Sequence, residues 1–169
     1  KTADSLTKGI LAFNVHTSYR LVLLYPTSFF ISIFGLNDLA ITIFPMICSL
    51  GVILMIYLIA KKMFTQKIGL ISAFLLAFFP LEAIHSSILI ADVVAEFFML
   101  AGIYVFLSDK NKSYALSGLL LGISFLAKET FIFVLPLLLI YLLWLKKKIT
   151  LTHLYLLAGS LLPLIFEML

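Results

Sequence analysis

Residues Leu39 to Ala60 read LAITIFPMICSLGVILMIYLIA and contain no charged side chain. A helix that crosses a hydrocarbon core of about 30 Å needs about 20 apolar residues, and this run supplies them. Pro45 within it predicts a kink. The rest of the chain has the same character. Its 169 residues are 63% hydrophobic and 12% charged, with a mean hydropathy of +1.20. A soluble domain is nearer half apolar and about a quarter charged. The sequence is therefore that of an integral membrane protein.

Working outward, shorter apolar runs follow one another. They are Leu21–Phe34, Ile68–Leu81, Val93–Leu107, Tyr114–Ala127, Phe131–Leu145 and Leu151–Leu169. Gly35-Leu36-Asn37-Asp38 reads as a turn. A single helix from Tyr114 to Leu145 would be about 48 Å long at about 1.5 Å per residue, too long for one crossing. A turn is therefore expected at Lys128-Glu129. Gly118 and Gly122, four apart, favour close helix contact. The expected fold is all-α, a polytopic transmembrane helix bundle. About six helices would span, with one short outer-leaflet or juxtamembrane helix. Residues 1–38 would form an outer loop and juxtamembrane segment, and 39–169 the bundle. Both ends read as cut, since the chain begins without Met and stops inside an apolar run.

The lysines orient this bundle. Lys61/Lys62/Lys67, Lys110/Lys112 and Lys146–Lys148 mark three loops that the positive-inside rule assigns to the cytoplasm. The net charge of +4 is thus a topology signal, and no nucleic-acid partner is implied. The alternate loops carry Asp38, Glu82, His85, Asp92, Lys128 and Glu129, so the chemically capable residues gather on the outer face. Cys48 lies in an apolar run and reads as a small core residue. Tyr57, Tyr141 and Trp144 read as interfacial belt residues.

Asp92 and Glu96, in SSILIADVVAEFF (Ser86–Phe98), lie one helical turn apart in a very apolar region. Charge there is costly and tends to be functional. Asp92 suits a functional site carboxylate or an N-cap on a helix starting at Val93. Glu96 suits a structural polar contact or contact with substrate. His85 reads as an interfacial hydrogen-bonder or a ligand. Glu82, beside Pro80, is expected in a loop facing water. Lys128 suits a snorkelling anchor at a helix end. Arg20 suits an interface anchor.

The order of motifs resembles a known family. RLVLLYPTSFFISIFGLND (Arg20–Asp38) and SLGVILMIYLIAKKMFTQKIGLISAFLLAFFP (Ser49–Pro80) come first. SSILIADVVAEFF and YALSGLLLGISFLAKETFIFVLPLLLIYLLW (Tyr114–Trp144) follow. Together they resemble the membrane glycosyltransferases of the protein mannosyltransferase and aminoarabinose transferase type, family 39 and its relatives, which have the C-type superfold. The resemblance implies transfer of a hexose from a polyprenyl-phosphate donor to a protein, lipid or glycan acceptor at the extracytoplasmic face of a cell membrane. It implies that Asp92 matches the second acidic position of the site, and that Lys128 and Arg20 stand where basic residues hold the donor phosphate. The family's first acidic motif would precede Lys1, so this stretch alone is expected to be inactive. The pattern fixes no cofactor; if a divalent metal takes part, Asp92 would be its ligand.

The competing class is a secondary transporter or channel with membrane-embedded carboxylates. Such a protein would place its carboxylates at mid-membrane in both halves of a repeat. Here the charges cluster at one face and no repeat is evident. A non-catalytic scaffold would need no such clustering.

Overall fold

The computed structural model describes residues 21–108, 111–146 and 151–168. They form α1 (Leu21–Phe34), α2 (Asp38–Met63), α3 (Gln66–Ala77), α4 (Pro80–Ser86), α5 (Ala91–Phe106), α6 (Asn111–Ala127), a 3-10 helix (Glu129–Phe133), α7 (Val134–Lys146) and α8 (Leu151–Met168). Among the described residues there is no strand. Residues 1–20, the first part of the predicted outer segment, lie outside the described residues.

Local sequence sets the breaks. Gly35 ends α1 at φ 78°, a left-handed conformation that glycine adopts without a Cβ penalty. Asn37 then caps α2, its side-chain oxygen accepting from the Ala40 N–H at 2.7 Å. Helix α6 stops at Ala127, and the 3-10 turn that follows separates it from α7. This is the break at Lys128-Glu129 that the length argument demands.

Helix α2 has 26 residues, and among the described helices it alone is long and apolar enough to cross a bilayer unaided. Only 28% of its apolar window is buried. An apolar helix that faces mostly outward suits a lipid environment. Helices α3 and α4 pass the same test together, but they are bent by 64° at their break. Four further helices are apolar but shorter. The expectation of six spanning helices is therefore met by one, or two with the bent pair. The reason is length. Helix α5 has 16 residues and rises about 24 Å, less than the core thickness of about 30 Å.

Helix α6 is the hub, packed against α5 on one side and α8 on the other. Toward α8 the contact is backbone on backbone. A Cβ on Gly118 would land on the Leu156 carbonyl, and one on Gly159 on the Ala115 carbonyl. Toward α5 it is polar: Ser117 Oγ donates to Gly102 O at 2.8 Å and Ser124 Oγ to Ala95 O at 2.7 Å. All four partners lie in an interior where water is excluded, so these bonds fix the register of the two antiparallel helices. Val93, Val94, Ala95, Leu100, Cys48 and Val52 form the apolar core beneath.

Candidate functional site

The serine rungs determine what meets at the end of the α5–α6 pair. Moving from Ser117 to Ser124 along α6 advances the partner from Gly102 to Ala95 along α5. One turn further, the same register brings Lys128 opposite Asp92, and the Lys128 ammonium donates to Asp92 Oδ1. Both side chains remain about one-third exposed, at 29% and 34%. The pair also suits the helix dipoles. Asp92 is in the first turn of α5, where negative charge is favoured. Lys128 follows the last turn of α6, where positive charge is favoured, and its N–H donates to Ser124 O at 3.0 Å.

Asp92 is not the N-cap. Ile90 holds that position without a side-chain cap bond, and Ala91 opens the helix. The extended backbone at Ile90 moves the start of α5 two residues earlier than Val93. The Asp92 carboxylate is thereby released from capping and faces Lys128 and the cleft.

That cleft has a volume of about 230 Å³ and is lined by Leu76, Phe79, Leu81, Glu82, His85, Asp92 and Glu96. Three predicted residues, His85, Asp92 and Glu96, thus share one concavity, with Lys128 bonded to its rim through Asp92. His85 arrives by a different route from a continuous helix. Helix α4 ends at Ser86, and residues 87–90 turn the chain before α5 begins. Arg20 lies outside the described residues. Glu129 is exposed and outside the cleft.

Glu82 corrects the sequence reading. It sits inside α4, not in a water-facing loop, and is only 8% exposed. Its Oε1 accepts from Ser49 Oγ of α2 at 2.7 Å. Pro80 at the first helical position followed by Glu82 in the first turn is a helix-start pattern that could have located α4. No sequence signal pairs Glu82 with Ser49, because α4 reaches α2 only through the bend after α3.

Leu76 and Phe79 also line an apolar groove of about 370 Å³ with Ile56, Ser72 and Leu75. A polar cleft and an apolar groove therefore share a wall. At the opposite end of α5, Lys62 of α2 hydrogen-bonds Ser108 at 3.1 Å and lies over the Tyr104 ring at 5.1 Å. Lys62 and the Asp92 carboxylate thus lie at opposite ends of the bundle. Among the described residues, no group of three or more His, Cys, Asp or Glu is arranged to hold a metal ion. Asp92 is engaged by Lys128 instead.

The profile of the dolichyl-phosphate-mannose-protein mannosyltransferases matches residues 18–168, and the chain belongs to that family. It is thus a membrane glycosyltransferase chain. Curated proteins and solved structures return no match.

Proposed function

We propose that the cleft at the Asp92 end of the bundle is part of a site that transfers a hexose from a polyprenyl-phosphate donor to an acceptor hydroxyl at the extracytoplasmic face of a cell membrane. The observation that carries this is the shared wall of Leu76 and Phe79. It joins a cleft containing Asp92, His85 and Glu96 to an apolar groove. An amphiphile with a polar sugar-phosphate head and a prenyl tail fits that adjacency. The family's own description names a dolichyl-phosphate sugar as its donor. The position of Lys62 at the far end supports the orientation, since lysine-rich ends face the cytoplasm. Several helices cross as shortened spans, with flanking polar residues in the interface.

In the transfer, the acceptor oxygen attacks the anomeric carbon. The carbon–oxygen bond to phosphate breaks, and the phosphate leaves with the electron pair. The acceptor proton passes to a carboxylate. Lys128 stabilises the leaving phosphate, because an ammonium has three donors and Asp92 uses one. Asp92 fixes the lysine and offers its second oxygen to the acceptor hydroxyl. His85 and Glu96 line the sugar pocket. Arg20 serves as a second phosphate contact.

Membranes containing the full-length protein, supplied with radiolabelled polyprenyl-phosphate mannose, test this. Donor consumption is expected, with a loss of a hundredfold or more in a folded Asp92→Asn variant, equivalent to about 2.7 kcal/mol. Undiminished consumption in the variant would remove Asp92 from the site.

A further inference from the structure

We propose that Glu82 is a specificity-determining residue that accepts a hydrogen bond from a hydroxyl of the donor sugar; this rests on the transferase function above. Glu82 is more than nine-tenths buried, yet it lines the cleft. The hydrogen bond from Ser49 to Oε1 is the one side-chain bond it makes among the described residues. Among those residues the only ion pair is Lys128–Asp92, so no described lysine or arginine pairs with its carboxylate. A carboxylate has about four acceptor sites, and Ser49 fills one.

A purely structural clasp between α4 and α2 would not need this chemistry. A glutamine carbonyl would accept from Ser49 equally well and would avoid the desolvation cost of a carboxylate. What the carboxylate adds is an acceptor-only surface toward the cleft, matched to hydroxyl donors. Ser49 holds that surface in place, since α2 is the long helix on which the bent α3–α4 segment leans. The groove behind Leu76 and Phe79 begins one turn from Glu82 on the same segment. A prenyl tail in that groove delivers the donor sugar, not the acceptor, to Glu82.

The test uses the full-length protein in membranes and a set of polyprenyl-phosphate mannoses, each lacking one hydroxyl. Wild type is expected to discriminate against one deoxy donor by tenfold or more in kcat/KM, because a site built to bond a hydroxyl leaves its partner unpaired when that hydroxyl is absent. Glu82→Gln should keep its thermal unfolding midpoint, raise KM for the intact donor about tenfold, and lose discrimination against that same deoxy donor. A variant that only perturbs folding would lower transfer of every donor alike. Should Glu82→Gln fail to fold, Ser49→Ala is read instead and should weaken the same discrimination to a smaller extent. Unchanged discrimination in a folded Glu82→Gln, alongside lost transfer in Asp92→Asn, overturns the role of Glu82 and leaves the transferase function standing. Discrimination that shifts with deoxy acceptors and not with deoxy donors also overturns it. Absence of mannose transfer by wild type defeats both.

Discussion

Helix α6 has two seams, and they are built from different materials. Toward α8 it offers glycines and meets backbone directly, and the void beside that seam is apolar, about 190 Å³, lined by residues such as Leu121, Phe125, Leu157 and Leu161. Toward α5 it offers serine hydroxyls to carbonyls and ends at a lysine–aspartate pair. Both seams sit where lipid or protein excludes water. The first gains stability from close van der Waals contact. The second specifies a register, and the register is what brings Lys128 to Asp92. Close packing alone would hold the helices together without deciding which residues meet at their ends.

The contrast can be broken most severely at the charged end. Asp92→Asn should cost a hundredfold or more in transfer with little effect on unfolding. The glycine seam should respond in the opposite way. Gly118→Ala puts a methyl against the Leu156 carbonyl. It should destabilise by about 1–3 kcal/mol, the cost of overpacking, measured as a lowered unfolding midpoint in detergent. Gly118→Leu should cost more. Ser124→Ala should cost less, about 1 kcal/mol for one lost hydrogen bond. Its transfer rate should fall more than its stability suggests, since Lys128 would lose its fixed register. The smallest effect belongs to Leu161→Ala beside the apolar void. Half-exposed Leu161 should change stability within about 0.5 kcal/mol and leave transfer untouched. A large activity loss there would mean that the α8 side, too, handles substrate.

Much of the packing around α6 is legible in sequence. Composition gives the membrane, the Gly118/Gly122 spacing gives a close helix contact, and a length argument gives the break at Lys128. Asp92, Glu96 and His85 are visible as costly polar groups in an apolar stretch, and the structure gathers them in one cleft. What escapes is whatever depends on a bend or on a distant partner. The spacing of the glycines does not say that α8 is the neighbour. The 64° bend between α3 and α4 turns Glu82 from a loop residue into a buried one. The helix start at Ala91, one residue ahead of Asp92, decides between cap and cleft, and element boundaries are the least reliable part of a pattern reading. The count of spanning helices is met only in part for a related reason, because apolar composition does not fix helix length.

The most direct measurement is a double-mutant cycle on Asp92→Asn and Lys128→Met, read as transfer from polyprenyl-phosphate mannose by folded full-length protein. Two groups that work as one unit should give strongly non-additive losses. The double variant is expected to be no worse than the worse single one, with each single variant down at least tenfold. Single variants that fold and transfer at the wild-type rate would contradict a transfer site at the α5–α6 rim.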